Sequence, residues 1–349
     1  MQQLLIRADA DSEIGTGHIM RCIALAQSWR DHGGKVKFIT YCSNAFLINR
    51  FADEGFSFHQ LEKSYPDPSE ACSFIEYIPD FRRKKDKNNW IVLDGYQFDP
   101  EYQAAVRKTG YKVLIIDDMA HLPIYHADIL INQNISANKQ IYNMDSNTTL
   151  LLGNRYVMLR KEFLQFKKQN RSKVGEVKKI LITLGGADAE NVTPLVLKAL
   201  SRLVQSGLKI KVVVGPVNPN LQALKNEIQM SNMDIEVLTS VNDMPSLISW
   251  ADLAVSGGGS TCWELAFYGL PFLAIVLAKN QMDIASGLDD AGAAINLGWH
   301  RELTEDYIFK RINELVEDHK MRSLLSQNSR NLIDGQGTER IIKEMEKWG

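Results

Sequence analysis

No two of the four cysteines, Cys22, Cys42, Cys72 and Cys262, form a C-x-x-C pair. Neither a zinc knuckle nor a disulfide framework is indicated, and the reducing cytoplasm is the expected setting. Also missing is any apolar run approaching the length that spans a bilayer, and Met1-Gln2-Gln3 opens without the basic and apolar regions of a secretory signal. No membrane insertion is expected. An excess of one charge is absent as well: 40 Lys and Arg stand against 42 Asp and Glu, a net of -2. With no whole-molecule field to draw them, nucleic acid and anionic membranes are not expected as partners. The basic run Arg82-Arg83-Lys84-Lys85 ends a helical segment and reads as its solvated last turn. Neither a metal nor another cofactor is expected: His121 and His126 lie five apart around Pro123, which is not the i, i+4 helical spacing of a metal pair. Asp117-Asp118 closes an apolar run, where carboxylates bind a cation, orient a substrate hydroxyl or, more commonly, face solvent or cap the next turn.

What the chain does contain is an alternation. Its 45% apolar and 23% charged residues are those of a globular protein, and 349 residues suit two domains of roughly 150 or more each. In the first half, short β-rich runs at Leu4 to Ala8, Lys35 to Tyr41, Phe56 to Leu61, Trp90 to Asp94, Lys112 to Asp117 and Asp128 to Ile131 are separated by helical patterns. Those helical patterns cover Ile19 to Asp31, Asn44 to Glu54, Ser69 to Lys84 and Pro100 to Lys108. From Ser136 to Thr149 the chain turns polar and Asn-rich, then resumes at Leu150. The second half repeats the alternation, with runs at Lys179 to Leu184, Ile210 to Val214, Ile235 to Leu238, Leu253 to Ser256, Pro271 to Val276 and Ala294 to Leu297. The reading is an α/β chain of two doubly wound Rossmann-like domains, 1–150 and 151–349, with ligands at the carboxyl ends of the strands and in a central cleft that the domains face. A terminal helix at Thr338 to Trp348 is expected to be structural.

Three glycine turns carry the candidate chemistry. In the first, Asp9-Ala10-Asp11-Ser12-Glu13-Ile14-Gly15-Thr16-Gly17-His18-Ile19-Met20-Arg21 follows the first strand and opens the first helix. Gly15 and Gly17 let the backbone turn sharply beside a ligand, and His18 sits at the helix start with a ring nitrogen in reach of it. An imidazole suits general-base work near neutrality, and the positive helix terminus favours its neutral, proton-accepting form. The second turn, Leu184-Gly185-Gly186-Ala187-Asp188, fits a phosphate loop and a plain tight turn equally well. In the third, Ser256-Gly257-Gly258-Gly259-Ser260-Thr261, small residues and hydroxyls meet at a helix start, and Glu264 one turn on is placed to accept both hydroxyls of a ribose. None ends in Gly-Lys-Ser/Thr, and none completes the G-x-G-x-x-G of a dinucleotide site.

Together, Ile14-Gly15-Thr16-Gly17-His18, the double glycine Gly185-Gly186, the Gly257-Gly258-Gly259-Ser260 turn with Glu264, and Asn280-Gln281 after a strand resemble the PseG family over nearly the whole chain. Those proteins are UDP-sugar hydrolases of pseudaminic acid biosynthesis, a route serving flagellin or surface glycosylation. They are related in fold to the MurG glycosyltransferases and to the spore-coat SpsG group. The resemblance implies a GT-B fold, with UDP held mainly by the C-terminal domain and the sugar facing the N-terminal one. It implies release of UDP from UDP-2,4-diacetamido-2,4,6-trideoxy-β-L-altropyranose by water attacking the anomeric carbon, with C–O cleavage, inversion and no metal.

By the same resemblance His18 is the general base, Gly15, Gly17 and Arg21 lie beside the substrate, and Tyr96 in Leu93-Asp94-Gly95-Tyr96 is near the sugar. Asn280 and Gln281 lie beside the pyrophosphate or sugar, while Gly185, Gly186, Gly258, Ser260, Thr261 and Glu264 bind the nucleotide. Arg160, in Leu159-Arg160-Lys161-Glu162-Phe163, matches a segment whose arginine contacts the ligand or serves as a hinge. The terminal helix crosses back onto the first domain, and other enzymes of the nonulosonic acid pathway are implied as partners. The chain departs from the pattern at Gly95, where PseG proteins commonly carry histidine, which bears on the sugar. It departs again in its glycine-rich phosphate turn, which leans toward the transferases. Two alternatives therefore stand beside the hydrolase: an inverting glycosyltransferase using the same base and nucleotide, and a nonenzymatic nucleotide-sugar-binding protein.

Overall fold

A computed structural model describes residues 2–11, 14–42, 45–78, 89–165, 175–186, 188, 190–203, 207–215, 218–239 and 241–348. The basic run Arg82–Lys85 and the end of the helix expected from Ser69 to Lys84 lie outside the described residues, as do Ser12, Glu13, Asn44 and Ala187. The chain divides into two compact units, Met1–Lys161 with Gly335–Gly349, and Glu162–Asp334.

The first unit is a seven-stranded sheet: β1 (Gln3–Ala8), β2 (Lys35–Thr40), β3 (Ser57–Gln60), β4 (Trp90–Asp94), β5 (Lys112–Ile116), β6 (Ile129–Asn132) and β7 (Thr149–Leu152). The order is β3-β2-β1-β4-β5-β6-β7, and every pairing is parallel. Helices α1 (Gly17–Asp31), α2 (Ala45–Asp53), α3 (Pro68–Tyr77) and α4 (Pro100–Arg107) connect its strands. The short helix α5 (Lys161–Gln165) stands where one unit gives way to the other. Parallel strands covered on both faces need apolar side chains at successive positions, which is why Ile91, Val92 and Leu93 are all buried. Alternate residues feed the two layers: Leu4 and Ile6 pack with Ile19 and Ile23 of α1, while Leu5 joins Phe74 and Tyr102 on the other face.

The second unit is a six-stranded parallel sheet: β8 (Lys179–Thr183), β9 (Lys209–Val214), β10 (Asp234–Thr239), β11 (Leu253–Gly257), β12 (Phe272–Val276) and β13 (Ile295–Trp299), in the order β10-β9-β8-β11-β12-β13. Its helices are α6 (Thr193–Leu200), α7 (Leu221–Gln229), α8 (Met244–Trp250), α9 (Thr261–Tyr268), α10 (Met282–Asp290), α11 (Glu305–Glu317) and α12 (His319–Leu332). Among the described helices, none is long and apolar enough to cross a membrane.

One strand lies outside the expected runs, and the last helix returns to the unit of the chain's first half. Thr149–Leu152 is a strand, pairing with β6 from Ile129↔Thr149 to Asn132↔Leu152, so the first unit continues past 150 to Lys161. The last helix, α13 (Gly337–Glu346), belongs to the first unit. There Ile341, Ile342 and Met345 are buried with Ile19, Ile23 and Trp29, each contributing about 1.5–3 kcal/mol for a fully buried side chain. Its first residue must be glycine, because a Cβ at Gly337 would lie 2.0 Å from the Val157 carbonyl oxygen.

Candidate functional site

The strand order of the first sheet reverses between β1 and β4, and in open α/β sheets the carboxyl ends at such a reversal form the ligand crevice. The chain places its polar side chains there. β1 runs into the glycine turn and α1, whose His18 and Arg21 are i, i+3 neighbours on one helix face. Asp94 is the last residue of β4, in register with Ala8 of β1 and Ile116 of β5, and Asp118 follows β5.

These four side chains form one buried cluster. His18 Nδ1 lies 2.6 Å from Asp94 Oδ1. Arg21 donates from Nε to Asp94 Oδ2 at 2.7 Å and from Nη2 to Asp94 Oδ1 at 2.6 Å. Its Nη1 donates to both Asp118 oxygens, at 2.9 and 2.7 Å. Tyr96 donates its hydroxyl to Asp118 Oδ2 at 2.9 Å and sets its ring edge-on to His18, with centroids 4.9 Å apart. Cys22 donates weakly to Asp94 Oδ2 at 3.4 Å, and burial together with Asp94 pushes its thiol pKa up, so it stays protonated.

The electrostatics follow from these contacts. Burial alone would push the Asp94 carboxyl up, but Arg21 and His18 outweigh it and hold it well below the ordinary carboxylate range. Asp94 is therefore ionised and can only accept, so the proton on the His18 ring belongs on Nδ1 and Nε2 is left as the basic nitrogen. One guanidinium between two carboxylates leaves the cluster one negative charge over when the imidazole is neutral, and a second proton on His18 cancels it.

Asp9 and Asp117 do different work. Arg7, fully buried, pairs with Asp9 and with Glu70, and Asp9 also accepts from the Tyr41 amide at 2.7 Å and from Gln97 Nε2 at 3.0 Å. That pins the loop after β1 to its neighbours. Asp117 caps the next turn through the Met119 and Ala120 amides, at 3.0 and 2.7 Å, and accepts the hydroxyls of Tyr125 and Tyr142. Of the two common fates expected for strand-end carboxylates, facing solvent or capping the next turn, Asp117 takes the cap and neither faces solvent: Asp117 and Asp118 are 3% and 6% exposed. His126 sits apart from His121, on Asp145 at 3.0 Å. Among the described residues no group of three or more His, Cys, Asp or Glu is arranged to hold a metal ion.

The second unit gathers its glycine turns at the equivalent reversal, between β8 and β11. A Cβ on Gly257 would meet Leu184 at 3.5 Å, so the turn after β11 abuts the turn after β8 that begins with Gly185 and Gly186. Gly258 is closed in by Gln281, whose Cβ and carbonyl oxygen would each be 3.3 Å from an added Cβ. Gln281 itself is fixed by accepting the Leu277 amide at 2.9 Å. Ser260 makes no side-chain bond to the first turn of α9, and Ser260, Thr261, Glu264 and Asn280 are all partly exposed. Asp188 caps α6 by accepting the Val192 and Thr193 amides at 2.9 and 3.1 Å, so that end of the double-glycine turn is structural.

Of the residues singled out in the sequence, His18, Arg21 and Tyr96 meet in the first unit, and Gly185, Gly186, Gly258, Ser260, Thr261 and Gln281 lie on adjoining turns of the second. Arg160 is buried, in a segment whose next residue, Lys161, donates its amide to Gln27 near the far end of α1. Asp94 went unassigned in the sequence. Its signals are an acid ending the apolar run Trp90-Ile91-Val92-Leu93 and its place in the segment Leu93-Asp94-Gly95-Tyr96.

The chain is similar to known proteins over most of its length. Residues 179–345 match the glycosyltransferase family 28 C-terminal domain. The chain is 26% identical to the UDP-2,4-diacetamido-2,4,6-trideoxy-beta-L-altropyranose hydrolase of Campylobacter jejuni, over 83% of this chain and 97% of that protein. It is 23% identical to the spore coat polysaccharide biosynthesis protein SpsG of Bacillus subtilis, over 96% of this chain and 95% of that one. The chain resembles the PseG hydrolases and their SpsG and MurG-like relatives. An uncharacterized protein of Methanocaldococcus jannaschii, MJ1062, is 25% identical over 98% of this chain, which spans 65% of that protein's length. The crystal structure of Acinetobacter baumannii MurG superposes with a TM-score of 0.69 at 16% identity, covering 99% of this chain and 100% of that one. The fold is thus the two-domain α/β fold of MurG, GT-B.

Proposed function

We propose that this protein is a UDP-sugar hydrolase that releases UDP from a UDP-linked 2,4-diacetamido-2,4,6-trideoxy sugar of the L-altro type, in pseudaminic acid biosynthesis. The observation that carries the reading is the His18–Asp94 pair at the β1/β4 reversal, 2.6 Å apart and buried, in a chain whose relative of that name aligns over 83% of its length. Asp94 holds the proton on Nδ1, and Nε2 takes a proton from water as the water oxygen bonds to the anomeric carbon. The bond from that carbon to the diphosphate oxygen breaks on the opposite face, so the sugar leaves inverted and UDP leaves with the electron pair. The amide of Gly258 is spent on the Ile275 carbonyl at 2.8 Å, so the backbone amides that follow it in the turn and the start of α9 supply donors for the diphosphate, and Glu264 accepts the ribose hydroxyls.

A second reading is favoured by the match of 179–345 to a glycosyltransferase domain: the same base deprotonates an acceptor hydroxyl and the sugar is transferred with inversion. The deciding experiment follows UDP release from the altro-configured substrate with and without candidate acceptors. Turnover in buffer alone supports hydrolysis, acceptor dependence supports transfer, and UDP binding without release would leave only a binding protein.

A further inference from the structure

Tyr96 is held at two points. Its hydroxyl donates to Asp118 at 2.9 Å, and its backbone carbonyl lies 3.1 Å from Nε2 of His121. The other nitrogen of His121, Nδ1, is 3.4 Å from Asp117 Oδ2. Both groups facing the ring are acceptors with no proton to give, since Asp117 is held below its ordinary range by His121, Tyr142 and the turn amides despite burial. A neutral imidazole carries one N–H and can serve only one of them. The imidazolium serves both.

We propose that His121, in its doubly protonated form, is a positioning residue that ties the turn carrying Tyr96 to Asp117 and so fixes the Tyr96 ring against His18. This rests on the reading of His18 as the base, because it is the edge-on contact between Tyr96 and His18, 4.9 Å between centroids, that His121 controls. The groups around His121 agree on its charge. Asp117 and Asp118 come from the loop after β5, Tyr125 and Tyr142 close over Asp117 and both stay neutral with pKa values raised by burial, and Tyr96 comes from the loop after β4. The cation Arg21 is already spent on Asp94 and Asp118. The hydrogen bond to Asp117 raises the His121 pKa against a smaller loss from burial. The side chain is 30% exposed, so it can exchange its proton with solvent. The contact is complete below the ordinary histidine range and is lost as pH rises through the raised value.

The test uses the full chain and His121→Gln, an amide that can donate to one acceptor but never titrates. Side-chain NMR of His121 and of Tyr96 is followed from pH 5 to 9. The expected result is a Tyr96 resonance that moves with the midpoint of His121 and ceases to move in the variant. UDP release is then measured across the same range. The expected kcat of the variant is about tenfold below wild type at pH 6, converging to within about twofold at pH 9, with UDP affinity unchanged. A Tyr96 resonance indifferent to pH overturns the proposal, as does a kcat deficit that is the same at every pH. A coupled Tyr96 titration in a wild-type protein that never releases UDP sinks the hydrolase reading instead, and upholds the tie between His121 and Tyr96.

Discussion

Asp94→Asn separates geometry from charge at the centre of the cluster. The amide has the shape of the carboxylate, but it must choose which neighbour receives its single oxygen. Oδ1 serves two donors, His18 Nδ1 and Arg21 Nη2, each at 2.6 Å, whereas Oδ2 takes Arg21 Nε at 2.7 Å and the weak Cys22 thiol. The amide oxygen therefore stands in the place of Oδ1 and keeps the proton on His18 Nδ1, while the NH2 faces Arg21 Nε. What is lost is the negative charge that stabilises the imidazolium formed as Nε2 takes a proton from water. General-base catalysis contributes typically 10²- to 10⁴-fold, about 3–5 kcal/mol of barrier, and kcat should fall by at least about 100-fold. Stability should fall less steeply. Removing one partner of a buried ion pair costs about 3–5 kcal/mol, but Arg21 keeps both oxygens of Asp118, so a loss of about 2–3 kcal/mol is expected. The pH dependence follows from Asp94 titrating below its unfolded value. Its stabilisation is complete above the ordinary carboxyl range and is lost as pH falls through the depressed value. Denaturant melts should accordingly show wild type losing more stability than the variant on acidification. Stopped UDP-release assays on the folded variant give kcat, and a value within threefold of wild type would refute the charge argument outright.

Other expectations follow from the same structure. His18→Asn should lower kcat by at least about 100-fold with UDP affinity nearly intact, because the nucleotide is assigned to the other unit; a lowered melting temperature with normal turnover would make His18 a packing residue. Glu264→Ala should weaken UDP binding by about 1–3 kcal/mol in calorimetry, and wild-type affinity would move the ribose site elsewhere. Activity should survive EDTA, since the proposal gives the diphosphate to backbone donors and a helix start; a strict Mg²⁺ requirement would contradict it.

The two sheets were readable because their central strands, buried on both faces, are near-continuous apolar runs, and twelve of the thirteen strands among the described residues coincide with the expected β-rich runs within a residue or two. β7 escaped because it is four residues long, only Leu151 is fully buried, and it follows a polar Asn-rich stretch. His18 was visible as a chemical residue type behind a glycine turn. Its partners were not, because Asp94 and Asp118 lie 76 and 97 positions from the residues they bind, a separation that only the strand order closes. Both carboxylates end or follow apolar runs, a pattern shared with any surface loop. Burial, which distinguishes them, is a property of the assembled sheet.

The return of α13 to the first sheet means that this unit is not complete when its last strand has been made. Ile341, Ile342 and Met345 fill the layer over α1, yet at a synthesis rate of about 5–20 residues per second they leave the ribosome roughly 10 to 35 s after Lys161. During that interval Ile19, Ile23 and their neighbours lack the helix that covers them, while the whole second unit is being made. A chain ending at residue 161 stays in that state permanently. The natural fragment boundary for expressing the first unit is therefore a circular permutant or a fusion that restores residues 335–349, rather than a stop codon.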